Sequence, residues 1–376
     1  MKIAHVVTYI SYDGAFGGPV AVAATQAQQL AAEGHDVEII AGWDGVAKFE
    51  VPGVKISLHR VSRIAPGFSG LIAPGLMRHL RVNSYDCVHI HLARDLITTP
   101  AARMLSRSGQ PYVVQAHGMI KPDRRIRARV FDRLAVRDVI ARARTVFSLT
   151  NTEAAALREV ARTSALPLVT IPNGIRWRSR PAGFPSKANP PQVLFLARLH
   201  PRKRVLAFAE MAADMVASGV DATFHVVGPD EGDLSSLLQF ISSRSLQGRL
   251  VYEGTVEAGK GAQRLSTASV FVLPSVGEVF PMTVLESMSV GTPVVLNSDC
   301  GIASELERRD AAVIVDGSPE SLASATRLIL ADSVRRGELL ANANSALASW
   351  LSIENVTTKL VDGYNSGDQV SSQVGG

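Results

Sequence analysis

Two glutamates frame the stretch of this chain best equipped for chemistry. They are Glu278 and Glu286 in Gly277-Glu278-Val279-Phe280-Pro281-Met282-Thr283-Val284-Leu285-Glu286. Upstream, Phe271-Val272-Leu273-Pro274-Ser275 reads as a short apolar strand stopped by proline. Downstream, Val284-Leu285-Glu286-Ser287-Met288 reads as a helix that ends at Gly291, with Pro293 beyond it. Glu278 is then expected on the loop and Glu286 a turn or more inside the helix. Pro281 or its neighbour would open that helix, where a missing N–H costs nothing. The free N–H groups of Met282, Thr283 and Val284 would favour an anion in front of them. A phosphate there, with one carboxylate on each side, suits a sugar nucleotide. The plain alternative is two solvated glutamates beside an ordinary capped helix.

Arg198 and Lys203 follow an apolar run in Leu196-Ala197-Arg198-Leu199-His200-Pro201-Arg202-Lys203-Arg204. Cations at a strand's carboxyl end can neutralise a diphosphate, the arginine as a bidentate fork. No Asp-x-Asp occurs and no His/Cys group has ligand spacing along the chain, so no metal and no cofactor is expected. Charge on a leaving diphosphate would fall to Arg198, Lys203 and the helix N-terminus. Near the start, Tyr12-Asp13-Gly14-Ala15-Phe16-Gly17-Gly18-Pro19 permits close backbone approach to a ligand, but it is not a G-x-G-x-x-G fingerprint. His117-Gly118 closes another apolar run and is a candidate for function. His89 and His91 flank a further strand end and read as packing and loop-anchoring residues.

These residues need strands to carry them. In the first half, strands are expected over 3–8, 37–40, 54–58, 87–90, 112–115, 145–149 and 169–171, with helices over 19–33, 95–106, 124–141 and 152–161. The alternation restarts with strands over 193–196, 223–227, 250–252, 270–273, 294–296 and 312–315. Such alternation predicts α/β architecture, a parallel sheet covered on both faces, twice over. At 376 residues two domains are expected. Their bounds are 1–180 and 192–350, with a linker over 181–191, where Pro181, Pro185, Pro190 and Pro191 fall. A helix over 351–365 is expected to cross back to the first domain, and the polar tail 366–376 to be mobile. Ligands of such sheets bind outside the carboxyl ends of the strands, so chemistry is expected in a cleft between the domains.

Composition narrows the class. Apolar residues are 46% and charged residues 19%, which fits a globular protein. Cys87 and Cys300 stand far apart and read as buried, reduced thiols of a cytosolic protein. The opening Met1-Lys2-Ile3-Ala4-His5-Val6-Val7 is too short an apolar run for a signal peptide, and no run suits a membrane span. The net charge of +5 is concentrated: segment 121–144, opened by Lys121 and closed by Arg144, holds nine basic residues against three aspartates. Ile126, Val130, Phe131, Leu134, Val139 and Ile140 approximate one apolar stripe through it. The segment reads as a core-packed helix with a solvated basic face, or as one facing an anionic membrane surface or acidic acceptor. Nucleic acid is not expected, since no aromatic residues are interleaved for stacking.

Taken together these pieces resemble the large retaining glycosyltransferase family four, of GT-B fold. The resemblance runs from Gly17-Gly18-Pro19 to about Leu360 and rests on segments that are specific in combination. These are His117-Gly118-Met119, Ile171-Pro172-Asn173-Gly174-Ile175, Ala197-Arg198-Leu199 with Lys203, Val227-Gly228-Pro229-Asp230-Glu231-Gly232, the strand Val270-Phe271-Val272-Leu273-Pro274, the Glu278/Glu286 pair, and Met288-Ser289-Val290-Gly291-Thr292-Pro293-Val294-Val295. The resemblance implies two Rossmann-like domains facing a central cleft. It implies that Glu278 touches the hydroxyls of the donor sugar and Glu286 those of the ribose. Arg198 and Lys203 would hold the diphosphate, helped by the backbone of Phe280, Pro281, Met282 and Thr283. His117 would lie near the reacting carbon, and Gly17 and Gly18 on the phosphate side. Val279, Arg204 and Arg176 depart from the common pattern and bear on the choice of sugar. The implied activity is metal-independent, retaining transfer from a UDP- or GDP-activated sugar to a glycan or polyprenyl-linked glycan. The implied setting is bacterial polysaccharide or glycolipid assembly in the cytoplasm, and the basic segment 121–144 adds the expectation of a peripheral place on the inner face of the cell membrane. An epimerase or hydrolase of the same fold and a non-catalytic nucleotide-sugar binder are the rivals. A nicotinamide oxidoreductase is disfavoured by the missing fingerprint.

Overall fold

Runs rich in Val, Ile and Leu become the strands. In the first unit these are β1 (Lys2–Ile10), β2 (Asp36–Trp43), β3 (Lys55–Arg60), β4 (Ser62–Arg63), β5 (Leu71–Ile72), β6 (Cys87–His91), β7 (Tyr112–Gln115), β8 (Val146–Ser148) and β9 (Leu168–Thr170). Seven of them form one parallel sheet in the order β3-β2-β1-β6-β7-β8-β9, while β4 and β5 pair as a small antiparallel hairpin. The helices between are α1 (Gly17–Ala32), α2 (Pro74–Val82), α3 (Thr98–Ser108), α4 (Ile126–Phe131), α5 (Arg137–Ala141) and α6 (Asn151–Ala161). The strand order reverses direction between β1 and β6, the switch point at which such sheets place ligands. This computed structural model describes residues 1–11, 17–63, 70–177, 189–257 and 259–366. The glycine-containing loop 12–16, linker positions 181–188 and the tail 367–376 lie outside the described residues.

The second unit repeats the plan with β10 (Gln192–Leu196), β11 (Thr223–Val227), β12 (Leu250–Tyr252), β13 (Val270–Leu273), β14 (Val294–Asn297) and β15 (Val313–Val315). They form a six-stranded parallel sheet ordered β12-β11-β10-β13-β14-β15, with its switch point between β10 and β13. Its helices are α7 (Val205–Ala217), α8 (Leu234–Ser243), α9 (Gly261–Thr267), α10 (Met282–Ser289), α11 (Ala303–Arg308), α12 (Pro319–Ala331) and α13 (Ser333–Ala346). One core gathers Val193, Phe195, Phe208, Met211, Phe224 and Val272. Strands this apolar on alternate and consecutive positions are those of a sheet buried on both faces.

The last helix, α14 (Ile353–Asn365), belongs to the first unit, which comprises Met1–Gly174 and Ile353–Gly376; the second is Ile175–Ser352. Ile353, Val356, Leu360 and Tyr364 share a core with Ile3, Leu30, Cys87 and Phe147. A side chain at Gly363 would meet the Phe147 ring at 2.5 Å, so only glycine lets the helix lie this close. Arg144 Nη1 donates to the Tyr364 carbonyl at 2.6 Å, and Thr145 Oγ1 to that of Gly363 at 2.7 Å. The basic segment thus supplies a fastening for α14. Cys87 and Cys300 are both buried and free.

The segment 121–144 departs from the single apolar stripe expected of it. A π-helical turn over Asp132–Val136 joins α4 to α5. That turn takes one residue more than an α-turn and rotates everything beyond it by about 100°. Val136, Val139 and Ile140 therefore pack in the core of the first unit. Ile126, Val130 and Leu134 face outward, 77%, 49% and 64% exposed. Asp132 is held at the turn by a bidentate Arg94, with Nε–Oδ1 at 2.7 Å and Nη2–Oδ2 at 2.9 Å.

Candidate active site

In the second unit the chain leaves β10 through Arg198 and turns back as a short 3-10 helix, Pro201–Lys203. His200 caps it through Nδ1, accepting from the Arg202 N–H at 3.1 Å. Arg204 then takes φ 56°, a left-handed backbone that glycine adopts at no steric cost. Arg204 is one of the positions at which the chain departs from the common pattern of the family it resembles. The turn is tied to the loop after β13 by Val276 N–H donating to the Arg202 carbonyl at 2.9 Å. It aims Lys203 at Glu278, Nζ to Oε1 2.5 Å, with Arg202 Nη2 at 3.5 Å from the same oxygen. The Lys203 and Glu278 side chains are only 16% and 13% exposed. Arg198 is exposed and pairs with Glu231, Nη1 to Oε1 2.7 Å. A surface pair of this kind holds by about 0–1 kcal/mol, so an incoming anion can displace Glu231.

Past Glu278, α10 begins at Met282 with Pro281 at its N-cap and no side chain capping it. The Met282 and Thr283 N–H groups are left for a ligand or water, whereas the Val284 N–H, expected to be free as well, donates to the Pro281 carbonyl at 3.2 Å. Glu286 lies on this helix at the edge of a pocket of ≈ 390 Å³, whose walls include Arg198, Gly228, Thr255, Thr283 and Glu286. Burial pushes the Glu286 carboxyl above the usual glutamate range. Among the described residues no cation or donor pairs with it. A desolvated, uncompensated carboxylate in a pocket marks a site built for donors that arrive with a ligand.

Two glycines hold this pocket open. Gly228 has φ 149°, and a Cβ there would sit 1.9 Å from the Ala197 carbonyl oxygen, where no side chain fits. This lets the loop after β11 lie against the end of β10. At Gly261 a Cβ would stand 3.6 Å from Glu286 Oε2, filling space in front of that carboxylate.

The first unit holds a second polar cluster. His5 on β1 and His89 on β6 are register partners, and His91 lies two residues further along β6. His5 Nδ1 is 3.0 Å from His91 Nε2, and His91 Nδ1 is 2.7 Å from His117 Nε2. His89 Nδ1 instead meets the Tyr364 hydroxyl at 2.9 Å. Burial lowers all four imidazoles, His5 and His117 to about 3, so each ring is neutral near pH 7. Spacing along the chain gives no His cluster, yet nitrogens of His5, His89 and His91 all lie within 4.8 Å of one another. Here they are engaged with one another and with Tyr364 and His117.

His117 and Gly118 take φ 52° and 73°, a pair of left-handed residues that turns the chain sharply after β7. Glu153 secures the turn by accepting from the Gly118 and Leu149 N–H groups. Thr150 caps α6 by accepting from the Glu153 N–H at 3.1 Å. Thr150-x-x-Glu153 is a capping-box pattern readable in the sequence, and it was the available signal for a residue that positions His117.

Of the expected residues, Arg198, Thr283 and Glu286 line one pocket, and Lys203 and Glu278 form a close pair on the adjoining turn and loop. Phe280 is buried edge-on against Trp350 with ring centroids 6.4 Å apart, so its side chain is structural. Gly17 and Gly18 open α1 in the first unit. Sequence reasoning passed over Arg202, Thr255, Glu153 and His5.

Two doubly wound units, each built on a parallel sheet with strand-end sites of this kind, make up a GT-B architecture. Residues 16–176 match the model of Glycosyltransferase Family 4, and residues 190–332 that of Glycosyl transferases group 1. The chain belongs to this family of glycosyltransferases. It is 30% identical over 183 residues to the D-inositol 3-phosphate glycosyltransferase of Geodermatophilus obscurus, a match covering 46% of this chain and 40% of that one. A GDP-mannose-dependent alpha-(1-6)-phosphatidylinositol dimannoside mannosyltransferase of Mycobacterium tuberculosis is 28% identical over 205 residues, 52% of each chain. The chain thus spans about half the length of the curated relatives it matches. The fold is also that of Anabaena HepE, solved with UDP, at a TM-score of 0.74 and 17% identity, over 97% of this chain and 100% of that one.

Proposed function

We propose that this protein is a retaining glycosyltransferase that works without a metal, using a UDP- or GDP-activated sugar. The uncompensated Glu286 carboxylate in the pocket beside the start of α10 carries the reading, because it suits the paired hydroxyls of a ribose. The diphosphate then lies at the α10 N-terminus, met by Arg198 and Lys203. Glu278, steadied by Lys203, accepts hydrogen bonds from the donor sugar. In a front-face reaction the acceptor hydroxyl oxygen bonds to the anomeric carbon as the bond to the diphosphate oxygen breaks. That oxygen takes the hydroxyl proton, and the two cations stabilise the charge that develops. His117 is the residue of the first unit that this reading assigns to the reaction.

Thermal shift with a panel of nucleotide sugars tests this. The right donor, at about a hundred times its Kd, is expected to raise Tm by roughly 5–10 °C. NMR of the products must then show a new glycosidic bond with the configuration kept. Epimerised or merely hydrolysed donor would replace the transferase reading.

The acceptor we propose is a glycan on a lipid carrier, reached from an anionic membrane surface. Ile126 and Val130 on α4 and Leu134 on the π-helical turn project outward, and Arg127, Arg129 and Arg133 on the same stretch, with Arg124 just before it, have no ion pair among the described residues. The three apolar side chains help line a groove of ≈ 570 Å³ together with Leu96, Pro100 and Phe131. Apolar residues ringed by free arginines suit the boundary between acyl chains and anionic headgroups. No helix among the described residues is long and apolar enough to cross a membrane. Sedimentation with phosphatidylglycerol vesicles is expected at low salt and lost at high salt. Recovery unchanged by vesicles at every salt concentration would rule this partner out.

A further inference from the structure

The imidazoles of His5, His91 and His117 form an unbroken hydrogen-bonded row from the core outward. His5 and His91 are 0% and 1% exposed, while His117 is partly exposed at the outer end. The His91 and His117 rings are nearly parallel, 8° apart with centroids at 5.0 Å. A neutral imidazole has one donor and one acceptor nitrogen. The row therefore has only two proton arrangements, each setting all three rings together.

In one arrangement His117 Nε2–H donates to His91 Nδ1, and His91 Nε2–H donates to His5 Nδ1. His5 must then keep its proton on Nε2, a buried atom with no partner. In the other, His5 Nδ1–H donates to His91 Nε2 and His91 Nδ1–H donates to His117 Nε2. His5 Nε2 is then a bare lone pair, and the His117 proton sits on Nδ1. Orphaned buried N–H groups are rarer than under-satisfied acceptors, so the second arrangement is favoured.

We infer that His5 and His91 are positioning residues that hold His117 in its Nδ1–H tautomer, making it a hydrogen-bond donor to a substrate oxygen and not a proton-accepting base. The bond made by one imidazole nitrogen decides which nitrogen carries the proton. This agrees with a reaction in which the leaving diphosphate oxygen, not the protein, receives the acceptor's proton. The role at a substrate rests on the transferase reading, whereas the tautomer does not.

Proton–nitrogen correlation spectra of the full chain labelled with 15N-histidine test the tautomer directly at pH 7 to about 8, near-neutral conditions where the rings stay uncharged. Single-histidine substitutions assign the signals. His117 is expected as Nδ1–H in the wild type and to revert to Nε2–H in His91→Gln. In turnover assays His91→Gln is expected to lower kcat by about tenfold or more with little change in the donor KM, as for a mis-set donor in a site. Should His91→Gln not fold, His5→Gln breaks the row one ring deeper and takes its place. A wild-type spectrum with His117 as Nε2–H, or doubly protonated near neutral pH, overturns the inference. If the protein proves to transfer no sugar, the spectrum still decides the tautomer.

Discussion

Replacing Lys203 or Glu278 by alanine is expected to lower kcat/KM by about 10²–10³, a loss of roughly 3–4 kcal/mol of transition-state stabilisation. The pair touches at 2.5 Å with both side chains largely shielded from water, so the cation is oriented as well as present. Removing Lys203 leaves Glu278 to the more distant and exposed Arg202, 3.5 Å away. Removing Glu278 frees Lys203 to move off the diphosphate position and deletes an acceptor for the sugar. Neither change should unfold the protein. The surrounding backbone is held by the His200 cap, by the Val276–Arg202 hydrogen bond and by the Gly277 N–H donating to Asp299 at 2.7 Å. A Tm change of no more than about 2–4 °C is expected, the response of a domain this size to 1 kcal/mol. Because the residues are in contact, the double variant should be little worse than the poorer single one. Wild-type turnover by either alanine variant would sink the assignment of this pair.

Glu286→Gln should separate stability from function. In the wild type, burial raises the Glu286 carboxyl, so the folded protein keeps a proton that the unfolded chain has already lost. Between the ordinary glutamate value and the raised one the folded state therefore binds more protons, and stability falls as pH rises. Its contribution is fully present below the unfolded value and gone above the folded one. Glutamine carries no such charge. The Tm of the variant should draw ahead of the wild type as pH rises through that window, and the two should converge in acid. Nucleotide affinity should move the other way, by about 10–100-fold, the scale of a lost charge-assisted hydrogen bond. Calorimetric titration with UDP and GDP reads the second effect, and Tm against pH the first. Parallel Tm curves, or unchanged affinity for both nucleotides, would show that Glu286 does not meet the ligand.

Much of the fold could be read from local pattern. Runs such as Val193-Leu194-Phe195-Leu196 and Val270-Phe271-Val272-Leu273 have no polar face, which leaves a buried parallel strand as their natural state. The alternation of such runs with alanine-rich helices then admits few architectures. The turn residues that carry site groups were also visible: Pro281 before α10, Gly228 after β11 and Gly118 after β7 mark places where ordinary backbone cannot continue. Periodicity failed at 126–141, because one extra residue in the Asp132–Val136 turn re-aims a helix without altering its composition. Arg94, far away in the chain, braces that turn, and no window of local sequence contains both.

By itself, then, the sequence determined the element types, the paired parallel sheets, the strand-end positions of Arg198, Lys203, Glu278 and His117, and the place of Glu286 on the helix that follows. Each of these follows from residues within a turn or two of one another. Tertiary structure alone decided which charges touch: Arg198 with Glu231, Lys203 with Glu278, and Glu286 with none among the described residues. It alone joined His5, His91 and His117 into a row and set α14 against the first sheet. Those outcomes depend on strand register and on the close approaches permitted at Gly228 and Gly363, and register is set by packing across the whole unit.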